Sequence, residues 1–380
     1  MPFIIPCGIK EVELSGFKSV KHEVLPMKSL NVFIGANGSG KTNFISLFQM
    51  MQFFMNSGDG LGEFVGRNGG SEYLLHFGSK ATDTIKARLT LHSETGIDEY
   101  IFELGYALGD TLYFKNEQVS YSPYGSNDRT LISLGSGNKS SQLLQIRAKD
   151  TAFDEYCRTI ATIRILLSNM RFYQFHDTTR EAYIRKTTHQ EDNSYLRSDG
   201  GNLGAFLFML KERSPKTYSS IVEIIKQIAP FIGDIILEPD YYSSYIKLKW
   251  KETSRSDYVF DVSQMSDGSL RSVALITALL QPKLPSVLCL DEPELGLHPE
   301  AISILADLIK CASEKCQVII ATQSQSLIDY FSPEDIVVVN KAHGETKFER
   351  LDYEKYKDWL DEYSLSTVWD TNVFGGRPQR

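Results

Sequence analysis

The 380-residue chain predicts an α/β protein with a mixed or parallel core sheet flanked by helices, an antiparallel β subdomain and a helical lobe. Three observations point there. A glycine-rich octet, residues 35–42, lies between a strand-like run and a helix-like run. Two almost wholly apolar segments, 286–290 and 317–322, enclose a helical one. Residues 85–121 alternate apolar and polar side chains with the period of half-buried strands.

The octet reads Gly35, Ala36, Asn37, Gly38, Ser39, Gly40, Lys41, Thr42, and it fits the phosphate-cradling pattern GxxxxGK[ST]. Leu30 to Ile34 before it is of strand type, and Asn43 to Met50 after it has helical spacing. A strand that turns through glycines into a helix aims backbone N–H groups and the positive helix end at one point. That point suits a nucleotide phosphate. Gly35, Gly38 and Gly40 let the backbone curl without Cβ clashes. Lys41 is expected at the β/γ phosphates, and the Thr42 hydroxyl at Mg²⁺.

Segments Lys10 to Val20, Val24-Leu25 and Leu30 to Ile34 read as a small sheet ending at the octet. Asn56 to Gly70 holds too many glycines for a good helix. Ile85 to Leu91 and Tyr100 to Leu108 alternate, and a Gly109-Asp110 turn leads into Leu112 to Tyr121. This is an antiparallel meander with one buried face. Gly125 to Ser141 reads as a polar loop. Helical spacing begins at Asp154 and runs to Met170, with Ile160, Ile163, Ile165 and Leu166 apolar. It returns at Leu203 to Lys211 and Tyr218 to Ile228, so residues 150–235 read as a mainly helical lobe. Tyr245 to Trp250 and Tyr258 to Val262 suggest a hairpin. Ser286 to Leu290, helix Pro299 to Cys311 and Gln317 to Thr322 have the pattern of a parallel sheet covered on both faces. Three consecutive segments follow: 1–150, a nucleotide-binding lobe with the β subdomain; 151–265, the helical lobe with the hairpin; and 266–380, which returns to the nucleotide-binding lobe.

The strand from Val287 ends in Asp291-Glu292-Pro293. Adjacent acids at the tip of a buried strand call for a use. Asp291 can orient Mg²⁺ through water. Glu292 can take a proton from an attacking water, a role that contributes about 10²–10⁴ in rate. Upstream, Ser266 is a candidate N-cap, and the helix start it marks is a second anion site.

Composition narrows the classes. Acidic residues number 48 and basic ones 40, for a formal net charge of −8, which excludes a bulk nucleic-acid coater but leaves a local basic groove open. The five cysteines form no CxxC pair, so buried free thiols in a reducing compartment are expected. The first ten residues lack a basic run and contain Pro6, unlike a signal peptide. No apolar stretch reaches about 18 residues, so no membrane span is expected and the cytoplasm is the default location.

The order of the octet, Ser266-Asp267-Gly268-Ser269 and Leu290-Asp291-Glu292-Pro293-Glu294-Leu295-Gly296-Leu297-His298-Pro299 resembles the ABC-type ATPase heads of the RecF/SMC/OLD group. The stand-alone bacterial ATPases of that group are the closest in kind. The likeness includes Leu14-Ser15-Gly16-Phe17-Lys18-Ser19, Phe175-His176-Asp177, Ser198 to Leu203 and Trp369 to Pro378. It implies two copies packed head to tail around two ATP molecules with Mg²⁺. Ser266 and Gly268 of one copy would touch the γ-phosphate held by Lys41 of the other. The Glu294 to Pro299 loop would lie along the interface. Lys18 matches a basic position near phosphates or adenine. The family's coupling glutamine has four candidates, Gln118, Gln142, Gln145 and Gln174. His176 and Asp177 face either a nucleotide, a partner or ordinary loop packing.

One departure stands out. Gln323 occupies the place of the family's switch histidine. Glutamine donates a hydrogen bond but cannot be protonated, so slow turnover is expected. The chain lacks a heptad coiled coil between octet and acids, which excludes a DNA-spanning tether. No second acidic cluster suggests a fused nuclease. Two readings remain: an ATPase acting in DNA maintenance or phage defence, and an ATP-gated scaffold for a separately encoded effector such as a nuclease. Nucleic acid stays open as a partner. The tail residues Trp359, Tyr363, Trp369, Phe374, Gly375 and Gly376 either dock such an effector or pack on the head.

Overall fold

A computed structural model describes residues 8–93, 95–125, 129–145, 157–240 and 242–376. The opening segment through Cys7, Asp154 and Pro378 therefore lie outside the described residues. The chain runs through β1 (Ile9–Phe17), β2 (Val20–Pro26), β3 (Leu30–Ile34), α1 (Lys41–Asn56), α2 (Gly60–Arg67), β4 (Thr84–His92), β5 (Gly96–Ala107), β6 (Thr111–Pro123), β7 (Thr130–Gly135), α3 (Gln142–Gln145) and α4 (Cys157–Ser168). It continues with β8 (Met170–Tyr173), β9 (Thr188–His189), α5 (Leu203–Arg213), α6 (Pro215–Ile228), β10 (Ile232–Ile236), β11 (Tyr245–Ile246), β12 (Lys249–Glu252) and β13 (Arg255–Asp261). Then come α7 (Asp267–Leu280), β14 (Val287–Asp291), α8 (Pro299–Ser313), β15 (Gln317–Thr322), α9 (Gln325–Ile328), β16 (Ile336–Ala342), β17 (Glu345–Arg350), α10 (Tyr353–Leu360) and α11 (Leu365–Asp370).

The backbone divides into two compact units, each assembled from separated stretches of chain. The first is Met1–Met170, Pro285–Val287 and Ser332–Arg380; the second is Arg171–Leu284 and Leu288–Phe331.

In the first unit, β1 to β7 except β3 form a six-stranded antiparallel sheet in the order β2-β1-β4-β5-β6-β7. Alternation sets the register: Val12 pairs with Leu89, Leu14 with Ala87, and Leu89 with Tyr100, all on the buried face. The single small sheet expected for the first three segments does not form. β3 leaves β1 and β2 and pairs in parallel with β16, Val32 opposite Ile336, while β17 closes antiparallel on β16. The reason is burial: β3 is buried at all five positions, which suits an interior strand rather than a half-exposed meander.

Helix α1 bridges these layers. Phe44 meets Phe33 at 4.8 Å and Phe348 at 5.0 Å, centroid to centroid. One end further on, Phe54 meets Phe102 and Phe114 edge-on at 5.5 and 5.2 Å. Burying a ring of this kind contributes about 1.5–3 kcal/mol, so the octet's helix is pinned along its length.

Two further segments of this unit differ from expectation. The glycine-rich stretch forms α2, because Leu61, Phe64 and Val65 are buried on one face and Phe64 packs on Phe53 at 5.6 Å. Gly60 is needed there, since a Cβ would run into the Phe53 carbonyl. The polar loop also contributes β7, paired to β6 from Val119↔Ile132 to Tyr121↔Thr130. In α4, Ile160, Ile163 and Leu166 are buried as expected, whereas Ile165 is exposed.

In the second unit, strands follow the order β15-β14-β8, with β10-β12-β13 and β11-β9 as smaller sheets. Helices α5, α6, α7 and α8 pack in sequence. The hairpin is β12-β13, Trp250 opposite Phe260, while β11 pairs with β9 instead. The expected helical lobe is interrupted: residues 171–202 carry β8, β9 and turns, because Asn202 and Asp199 bond backbone of their own loop, where their short polar side chains hold turns better than helices. Cys289 and Cys316 are buried thiols, but Cys311 is exposed. No helix among the described residues is long and apolar enough to cross a membrane.

Candidate functional site

The first unit holds the octet. Gly35 is packed so tightly that a Cβ would lie 2.5 Å from the Val339 carbonyl. Gly38 and Gly40 take φ of 75° and 113°, which side chains disfavour. Beside Gly40 stands Thr346, whose Oγ1 is 2.7 Å from the Ser39 carbonyl and from Ser19 Oγ. Ala36, Asn37, Gly38 and Thr42 face outward to differing degrees, while Gly35, Ser39, Gly40 and Lys41 are buried. Lys41 Nζ donates to the carbonyls of Gly35 at 2.6 Å and Ala36 at 3.1 Å. The Ala36 N–H donates to the Gly376 carbonyl at 2.7 Å.

These residues fit a bound phosphate on their own geometry. The Ser39 hydroxyl is buried without a hydrogen-bond partner. Helix α1 begins at Lys41 with no side-chain cap and no acid in its first turn. An anion would meet the uncapped amides, the buried hydroxyl and the lysine together.

Lys18 sits in the tight turn between β1 and β2 at φ 49°. Its Nζ donates to Ser46 Oγ at 2.7 Å and Asn68 Oδ1 at 3.1 Å, and burial lowers its pKa to about 8. It lines an open cleft of about 480 Å³ with Asn43, Asn68, Tyr73, Phe77 and Lys341.

The second unit holds the acids. Asp291 and Glu292 are half-buried at the tip of β14, where the four preceding residues are fully buried. Glu292 takes φ 44° and its N–H donates to the Ala321 carbonyl at 2.8 Å, which locks the tip to the end of β15. Its carboxylate accepts from Gln323 Nε2. Of the four glutamine candidates, Gln174 is the one against the acids, with Nε2 3.3 Å from Asp291 Oδ2. Gln118 is spent in the meander, opposite Ile101 and Ser133. His176 Nε2 is 2.9 Å from the Asp291 carbonyl. Asp177 is exposed and caps its own turn by accepting from Thr179, which lowers its pKa. Among the described residues no three His, Cys, Asp or Glu side chains converge as a metal cage.

Ser266 caps α7, its Oγ accepting from the Ser269 N–H at 3.2 Å. Gly268 lies under the Gly296 carbonyl, where a Cβ would come within 2.5 Å. Two arginines that sequence reasoning missed hold this region. Arg271 donates to the carbonyls of Phe175 (3.0 Å), His176 (2.7 Å) and Leu295 (3.0 Å). Arg185, 7% exposed, donates to the carbonyls of Thr178, Val262 and Met265 and to Asp267 Oδ1 at 2.7 Å. Both act on backbone carbonyls distant in sequence, which leave no local signal.

In the tail, Trp369 and Phe374 are buried, and Trp359 and Tyr363 stay about half exposed.

A family model described as "AAA domain, putative AbiEii toxin, Type IV TA system" matches residues 30–329. The chain belongs to this family. The chromosome partition protein Smc of Methanococcus voltae is 25% identical over 170 residues, which is 42% of this chain and 14% of that relative's length. A solved Smc head bound to the C-winged helix domain of ScpA aligns with a TM-score of 0.57 at 20% identity, over 91% of this chain and 99% of the other. An Smc head with an extended coiled coil, bound to the C-terminal domain of ScpA from Pyrococcus furiosus, aligns at 0.56 and 16% identity, over 94% and 99%. The fold is therefore that of an ABC-type, SMC-like ATPase head.

Proposed function

We propose that the chain binds ATP with Mg²⁺, hydrolyses it slowly, and does so as two copies packed head to tail, in the cytoplasm, in DNA maintenance or anti-phage defence. The observation that carries the reading is the tip of β14, where an acid pair at the end of a buried strand is met by Gln174 on one side and Gln323 on the other. Gly35 to Thr42 hold the triphosphate. Lys41 exchanges its two loop carbonyls for phosphate oxygens. Thr42 and Asp291 would hold Mg²⁺, which would supply positive charge at the phosphates. Glu292 accepts the proton of the attacking water, and Gln323 fixes the orientation of that carboxylate. Ser266 and Gly268 present the start of α7 to the nucleotide of the mate, where the helix dipole favours an anion. Lys18 adds a basic group beside the loop.

The glutamine contact on the base favours the second reading as well, in which ATP gates the binding of a separately encoded effector and hydrolysis is a timer. Smc heads are solved with a bound partner protein, ScpA. A role in defence rests on family likeness alone.

The test is Glu292→Gln. It binds ATP and dimerises by sedimentation, yet releases no phosphate. A mixture of Lys41→Ala and Ser266→Arg copies regains one intact composite pocket and part of the activity. If that mixture stays dead while each parent folds, the head-to-tail arrangement is wrong. Strong stimulation by DNA supports the maintenance role, and indifference to DNA supports the gated scaffold.

A further inference from the structure

Glu294 is the buried acid that the mechanism above does not use. It is 9% exposed, two residues beyond the base, in the turn where the Leu297 N–H donates to the Glu294 carbonyl at 3.0 Å. Its Oε1 accepts the Thr322 hydroxyl, and its Oε2 is buried without a hydrogen-bond partner. Thr322 ends β15. Its Oγ1 also accepts the Ser324 N–H at 2.9 Å. Ser324 in turn caps α9, its Oγ accepting from Leu327 N–H at 3.2 Å. Gln323 is held between these two anchored residues, with its amide on Glu292.

We propose that Glu294 and Thr322 are positioning residues: together they fix the backbone on both sides of Gln323, and so hold the Gln323 amide on the catalytic base. Neither touches nucleotide in this scheme. The directions of hydrogen bonding agree with it. Thr322 has a single proton, and giving it to Glu294 leaves the hydroxyl lone pairs for the Ser324 amide. Burial raises the Glu294 pKa, opposed first by the Thr322 hydroxyl, and the Glu292 charge raises it further. Isolated burial of an ionisable group is costly, so a carboxyl placed here without a use would be replaced by an apolar side chain at a gain in stability.

The inference rests on the ATP-hydrolysis reading, and the experiment separates the two. Thr322→Val keeps shape and removes the hydroxyl; Thr322→Ser restores it. Glu294→Ala removes the acceptor; Glu294→Gln restores an acceptor oxygen. Thr322→Val and Glu294→Ala lower kcat about tenfold with KM for ATP within about twofold, a share of the factor a placed base supplies. Thr322→Ser and Glu294→Gln recover most of it. In the Gln323→Ala background, Thr322→Val has no further effect, because the side chain it positions is gone. A multiplicative loss in that double variant overturns the proposal. If the wild-type chain turns over no ATP, the hydrolysis reading fails, and the positioning is read from amide exchange of residues 322–326 instead. Faster exchange in Thr322→Val that returns in Thr322→Ser supports it; unchanged exchange overturns it.

Discussion

Replacing Arg185 by alanine tests how the start of α7 is held. The guanidinium is almost fully buried and gives bonds to three backbone carbonyls, those of Thr178, Val262 and Met265, besides Asp267. Removing it strands the Thr178 and Met265 carbonyls, while that of Val262 keeps the Met265 N–H. An unsatisfied buried acceptor costs about 1–3 kcal/mol. Two such acceptors give about 2–6 kcal/mol, and water entering the vacated space reduces this to about 2–4 kcal/mol for the second unit. The ion pair to Asp267 adds little, because that carboxylate is 64% exposed. Exposed pairs are worth at most about 1 kcal/mol. Asp267→Asn therefore costs less than about 1 kcal/mol, and Arg185→Lys, which lacks the planar fork, falls between the two. The assay is urea denaturation, reading the shift in midpoint at constant slope. Equal losses for Arg185→Ala and Asp267→Asn would show that the ion pair, not the carbonyl clamp, is what matters. A loss under about 1 kcal/mol for Arg185→Ala would refute the reasoning altogether.

Gln323→His raises the hydrolysis rate in a phosphate-release assay, by restoring a protonatable donor at the switch position; an unchanged or lower rate counts against that. Gly40→Ala forces a Cβ onto Thr346 Oγ1 at a φ of 113°, and abolishes ATP binding by calorimetry while leaving the rest of the fold intact. Lys18 gives a pH signature. Its pKa falls from 10.5 to about 8 on burial, so between those values the unfolded chain binds more protons than the folded one. Stability therefore rises from about pH 8 to about pH 10.5, by up to about 3 kcal/mol at 1.36 kcal/mol per unit. Lys18→Met should flatten that slope; a slope that persists assigns it to another group.

Much of the fold could be read from the chain because its signals are local. The glycine octet lies between a fully buried strand and an amphipathic helix, and both formed where spacing placed them. The meander kept its period through β4, β5 and β6. What escaped was set by distant partners. Helix α2 overrides its glycines because Leu61, Phe64 and Val65 find a buried face. Gln174 could not be told from Gln118 until folding put one beside Asp291 and the other inside a sheet. Arg185 and Arg271 act on backbone carbonyls, which leave no residue-type pattern. Gly268 has a packing reason, the close approach of Gly296, that a motif cannot express.

The Ala36 N–H rests on the carbonyl of Gly376, and β3 takes its parallel neighbour from residues 336–338. Ribosomes deliver the phosphate loop early and these supports late. A nascent chain that has emitted only its first half therefore owns the loop's letters but not two of the contacts that hold its shape. The loop's support is thus completed by chain made long after the loop itself.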